Sequence, residues 1–223
     1  MIHKTRGIVF RFTRFRETSI IVNIFTELFG LQSYIVNSVR SSKASGGKMA
    51  LYQPLTLLDL VVYHREHAHI HRIKEVKCLH PYHTLATDVK KSTLGMFINE
   101  ILNKTVKEES HSQEIFDFLL DALLALDAQE KGYENFHLIF LLKLSRLLGF
   151  GAHSIYDVTR RGLLNEAEEN ILHTLLTAEY AATLSINNTQ RRLLLETLVR
   201  FYGEHIETLG EIKSVHVLHE VFL

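Results

Sequence analysis

Arg40, Lys43 and Lys48 share one short stretch, Ser38-Val39-Arg40-Ser41-Ser42-Lys43-Ala44-Ser45-Gly46-Gly47-Lys48. Cations on a small, polar backbone can follow a curved phosphate chain, and the stretch reads as a mobile surface loop. Arg11, Arg14 and Arg16 interleave with Phe12 and Phe15. Cation and ring together suit single-stranded nucleic acid, where charge meets phosphate and rings stack on bases. The competing reading turns the phenylalanines into a core and leaves the arginines solvated. His64, His67, His69 and His71 form a third group. On a strand, His67, His69 and His71 share a face, a spacing that can hold a metal. No Cys or Asp is placed to complete a site, and Glu66 falls on the opposite face. The polar outer face of an edge strand is therefore the preferred reading, and protonation at mildly acidic pH would make that face basic. Finally, Lys143 and Arg146 lie three residues apart in an otherwise apolar segment. Bases beside an apolar groove suit an acidic, hydrophobic-ended peptide, although on the residues alone snorkelling stems at a helix edge are the preferred reading.

Catalysis has no such signature. The sequence contains no Gly-rich phosphate loop, nucleophile elbow or His-Glu-x-x-His zinc helix. The single Cys78 excludes an intramolecular disulfide and a thiolate-rich metal site, and fits a reducing compartment. No run approaches the ~20 apolar residues of a membrane-spanning helix, so the expected setting is cytoplasmic. The charge is divided. Residues 1–83 carry 12 Lys+Arg against 5 Asp+Glu, and residues 84–223 carry 13 against 20. The sum is zero, but one half is as basic as the other is acidic, which points to a polyanion partner for the first half.

Two kinds of element must position these residues. Up to about residue 80, apolar residues come in short β-branched or aromatic runs: Ile8–Phe10, Ile20–Phe25, Tyr34–Val36, Leu55–Tyr63 and Ile70–Val76. Five strands of this kind suit a small closed barrel better than an open sheet. Pro81 marks a junction. Beyond it the period becomes helical, through Leu94–Leu102, Ile115–Leu126, a nearly all-apolar Phe136–Leu148 stopped by Gly149-Phe150-Gly151, a capped start at Asn165 with Glu168, and helices near 189–208 and 213–222. The expected fold is α+β and multidomain: a five-stranded OB-fold β-barrel over residues 1–80, then an all-α helical bundle over 81–223.

The order of motifs resembles the bacterial RecO family of recombination mediators. The matching stretches are Thr5-Arg6-Gly7-Ile8-Val9, Glu17 to Thr26, Gly30-Leu31, Leu51-Tyr52-Gln53-Pro54-Leu55, Phe136 to Phe150 with its Leu-Leu-Gly-Phe ending, and Ser214 to Phe222. The resemblance implies binding to single- and double-stranded DNA, annealing of complementary strands, and assistance in loading RecA onto strands coated by single-strand-binding protein, in nucleoid association. It implies RecR and the acidic C-terminal tail of single-strand-binding protein as partners. The DNA-binding positions it implies are Arg40, Lys43 and Lys48, with Arg6, Arg11, Arg14 and Arg16 behind them; Lys143 and Arg146 would face the tail peptide. Many members carry a four-cysteine zinc element after Leu-Leu-Gly-Phe. Residues Gly151 to Asn165 contain no cysteine, so no metal and no cofactor is expected here, and Arg160-Arg161 offers charge in its place. The leading expectation is a non-enzymatic DNA repair mediator. Its rivals are a protein-interaction adaptor and an RNA-binding OB-fold protein.

Overall fold

The computed structural model describes residues 1–39, 45–107, 112–159 and 164–222. Five strands come first: β1 (Ile2–Phe15), β2 (Ser19–Thr26), β3 (Gly30–Val36), β4 (Leu57–Tyr63) and β5 (His71–His80), with helix α1 (Ser45–Ala50) between β3 and β4. Helices α2 (Val89–Thr105), α3 (Ser112–Ala128), α4 (Phe136–Leu147), α5 (Ile155–Val158), α6 (Glu166–Thr177), α7 (Asn188–His205) and α8 (Ser214–Val221) follow. The chain divides into two compact units, Met1–Tyr82 with Val106–Asp121, and His83–Thr105 with Ala122–Leu223.

The strands close a barrel in the order β1-β2-β3-β5-β4. Every pairing is antiparallel except β3 with β5, which run parallel through Tyr34–His71 and Ile35–Arg72. This is the OB-fold, in which one long strand serves two neighbours and removes the free edge. Residues Ile2 to Ile8 of β1 pair with β4, and Gly7 to Phe15 pair with β2. A bulge between Val9 and Arg11 bends the strand as it leaves β4. Gly7 stands where the partners change. A Cβ there would lie 2.6 Å from Ile24 Cγ2 and 2.8 Å from Leu60 Cδ1, so only glycine lets the two neighbouring side chains converge.

Alternation fills the barrel with Val9, Ile20, Val22, Ile24, Tyr34, Leu58, Leu60 and Val62, joined by Val39 and Tyr52 from the connections. Met49 and Leu51 pack against this core. That contact explains a departure from expectation. Ser45–Ala50 is helical rather than loop, because burying Met49 outweighs the weak helix propensity of Gly46 and Gly47. Residues 40–44 of the same stretch lie outside the described residues.

In the helical unit α4 is the centre, with Phe136 to Leu142, Leu144 and Ser145 buried against α2, α6 and α7. The Tyr202 hydroxyl donates to the Leu141 carbonyl at 2.6 Å. The helix ends as its glycine predicts: Gly149 takes φ 87°, its N–H reaches the Arg146 carbonyl, and the Phe150 N–H reaches Ser145. Reciprocal capping boxes start α6 at Asn165/Glu168 and α7 at Asn187/Gln190. Glu100 of α2 accepts the N–H groups of Lys213 and Ser214 and the Ser214 hydroxyl, closing the start of α8. Asp127 accepts the N–H groups of His83, Thr84 and Leu85, and the buried Lys91 ammonium donates to Thr84 Oγ1 and the Asp127 carbonyl. Burial alone would raise the Asp127 carboxyl, but these donors bring it down to about 2.

Candidate nucleic-acid interface

The outer face of the barrel is built by register. One row runs Thr13, Ile21, Ile35, Arg72 and Tyr63 across all five strands, and the next runs Arg11, Asn23 and Ser33. The rows alternate with the inward-facing Val22, Tyr34 and Val62, so their side chains point away from the core. The result is a surface of amides, hydroxyls and small apolar patches with arginines at both ends. The β1–β2 turn and the β4–β5 loop frame it, and OB-folds bind oligonucleotides in that region.

Arg11 and Arg14 lie within β1, past the bulge, and Arg16 sits in the turn at φ 52°. All three are exposed. The Arg16 guanidinium lies 5.2 Å from the centre of the Phe15 ring. Phe12 packs against the barrel core, as the competing reading had it for that ring. Lys48 is exposed on α1. Arg40 and Lys43 lie outside the described residues.

Arg6 differs from the other arginines. Its Nε and Nη2 grip both oxygens of Glu27 at 2.9 and 2.7 Å, Nη2 also reaches Asp117 at 3.4 Å, and the guanidinium lies over the Phe116 ring. The hydrogen bonds from Arg6 hold the Glu27 carboxyl down at about 2, and Glu27 in turn raises the guanidinium pKa. This side chain ties β1 to α3 and has no charge to spare for a phosphate.

The sequence reading missed Arg65 and Arg72. Both are exposed, at the two ends of the β4–β5 loop, and neither forms an ion pair with a described residue. Their only sequence signal was that Arg65 falls within the histidine run and Arg72 directly follows it. That run is not a strand face. His67 (φ 63°) and His69 belong to the loop, and only His71 enters β5, where it is buried. His64 stacks on Phe29 at 4.0 Å and on His71 at 4.5 Å, and His3 meets Phe29 edge-on at 5.1 Å. The expected gain of charge in mild acid is therefore diminished at His64 and His71. Burial comes first, then positive neighbours, and both lower these imidazoles. Among the described residues no group of three or more His, Cys, Asp or Glu is arranged for a metal ion. The thiolate set of a zinc element is missing, since the one cysteine lies on β5.

In the helical unit, Lys143 pairs with Glu179 and lies 5.1 Å from the centre of the Tyr180 ring. Arg146 donates to the Leu176 and Ala152 carbonyls. Arg146 also lines a cleft of about 450 Å3 with Phe150, His153, Asp157, Phe201 and His205, which Lys143 does not reach. Both cations thus border the end of α6, each with an internal partner. Arg160 and Arg161 lie outside the described residues. Among those described, no helix is long and apolar enough to cross a membrane.

The sequence family described as Recombination protein O N terminal matches residues 1–82, and Recombination protein O C terminal matches residues 86–159. DNA repair protein RecO of Flavobacterium psychrophilum is 37% identical over 236 residues, covering 98% of each chain. That of Flavobacterium johnsoniae is 33% identical over the same length and share. That of Bacteroides fragilis is 31% identical over 242 residues, covering 100% of both.

Proposed function

Because the chain belongs to the RecO family of DNA repair and recombination proteins, we propose that its barrel binds single- and double-stranded DNA and anneals complementary strands, and that the chain assists RecA loading together with RecR on strands coated by single-strand-binding protein. The observation that carries this reading is the set Arg11, Arg14, Arg16, Arg65 and Arg72. All are exposed and none is in an ion pair with a described residue; Arg11 and Arg72 stand in the outward rows of an OB barrel, Arg14 on the opposite parity near the end of β1, and Arg16 and Arg65 in the flanking turn and loop. Lys48 joins them from α1, and Arg40 and Lys43 extend the set by sequence alone. Arg6 belongs to the scaffold.

The chemistry asked of the site is modest. Annealing needs no acid, base or nucleophile. It needs two polyanions held close while cations offset their repulsion, and it needs bases left free to pair. Guanidinium groups on an exposed sheet meet the first demand through phosphate contacts that ignore sequence. The face between them carries Asn23, Ser33, Ile21 and Ile35. Partner contacts fall to the helical unit, where Lys143 and Arg146 are proposed to meet the acidic tail of single-strand-binding protein by exchanging their internal partners for its carboxylates.

The test is a salt titration of oligonucleotide affinity, read by fluorescence anisotropy. Four or five neutralised phosphates on a single strand predict a log–log slope of about −3. Complementary strands should anneal faster with the protein than without it. An affinity that ignores salt, or binding to RNA well above matched DNA, overturns the proposal.

A further inference from the structure

Beside the outer face, the β4–β5 loop folds over a cavity of about 500 Å3 lined by Tyr63, Arg65, Ala68, Ile70, His71 and Arg72. Its composition is unusual for a barrel rim. Tyr63 and Ile70 are large apolar side chains that remain 42% and 47% exposed. A concave site that joins apolar side chains with a few polar and charged groups is the usual form of a small-ligand pocket. His71 closes the inner wall. It is 3% exposed, and its Nδ1 has no hydrogen-bond partner. His64 stacks on this ring, and Phe29 stacks on His64. Arg65 and Arg72 also line it, and neither forms an ion pair with a described residue.

We propose that this cavity takes one unpaired nucleobase of a bound single strand, the ring between Tyr63 and Ile70 and the flanking phosphates on Arg65 and Arg72. The inference rests on the reading of the barrel as a DNA-binding surface and adds to it a reason to prefer unpaired over paired strands. A base enters such a pocket only when it is unstacked, so a duplex can use the phosphate contacts but not the pocket. The pocket has the size of a small-ligand site and sits at the end of the row Ile21, Ile35, Arg72 and Tyr63, so a strand crossing the sheet along that row arrives at its mouth.

The experiment compares two oligomers of equal length and phosphate count, one of thymidylate and one wholly abasic, on the full chain. The protein should bind thymidylate on the order of tenfold more tightly, the share expected of one stacked base. Tyr63→Ala with Ile70→Ala should bring that ratio close to one while leaving the salt slope unchanged. Ala68→Phe, which fills the cavity instead of stripping it, should do the same and covers the case in which the first variant does not fold. Equal affinity of the unaltered protein for both oligomers overturns the pocket and leaves the barrel reading intact, as does a ratio that survives folded variants. Failure to bind either oligomer overturns both.

Discussion

His137 lies on α4, wholly buried, with Nδ1 unpartnered, between Phe97 and Phe222. Burial first, and then the positive neighbours Arg191 and His219, hold its pKa at about 3. The sign follows from linkage. The unfolded chain takes up this proton near pH 6.5, whereas the folded chain does not until about pH 3, so stability is complete above the first value and falls as pH drops toward the second. Each unit in that window removes at most ~1.4 kcal/mol. Urea unfolding between pH 7 and 5 should therefore show a declining midpoint, and His137→Gln should make the decline shallower by close to one proton. An unchanged slope would mean that His137 is not what the acid reaches first. Nothing in the sequence singled out this residue, because a histidine inside an apolar helix reads as one polar interruption. The same limit applied to Arg6. The family resemblance offered it as a DNA-binding position, and only the fold brings Glu27, Phe116 and Asp117 around it.

At the scale of elements, the strand centres were legible and their ends were not. Ile8 to Phe10 is conspicuous because both faces of β1 are buried there, whereas Ile2 to Arg6 and Arg11 to Phe15 each pair with a single neighbouring strand and keep one side open to water. Polar residues at such ends look like loop when pairing partners are unknown. The histidine run failed in the opposite direction, since alternation suggested a strand where the β4–β5 loop turns through His67. Helix ends did better, because Gly149 and the Asn165/Glu168 pair act locally. Gly7 was one residue of a family-like stretch, and the structure gives it a physical task. A methyl group at this point must displace the stiff, buried Ile24 side chain as well as Leu60. Gly7→Ala is expected to destabilise the barrel by about 1–3 kcal/mol, the usual toll of overpacking, and to lower its thermal midpoint by several degrees. A midpoint equal to that of the unaltered chain would show that the two strands do not converge so tightly.

For the whole molecule, the division of charge changes meaning once the units are known. The barrel unit includes Val106–Asp121, which brings Lys107 against Glu108, Glu109, Glu114, Asp117 and Asp121, so its total becomes 13 Lys+Arg against 10 Asp+Glu. A basic half has become a nearly balanced unit with its charges sorted. Acid gathers around Arg6, Glu27 and Asp117, while Arg11, Arg14 and Arg16 stand further along β1, roughly 15–30 Å from Arg6 at the rise of an extended strand. Net charge therefore cannot carry DNA affinity, and local phosphate pairing must. The two accounts separate by charge reversal on the full chain. Arg11, Arg14 and Arg16 changed to Glu alter the total by the same amount as Lys131, Arg200 and Lys213 changed to Glu, and the latter three are exposed on the helical unit. If the field of the whole protein steers the nucleic acid, both sets weaken binding alike. If the barrel face holds the phosphates, the first set alone abolishes most of the binding, and its salt slope becomes shallower by about 2, one counterion for each phosphate that is no longer neutralised. Equal weakening by both sets, with slopes unchanged, would move the DNA off the barrel face.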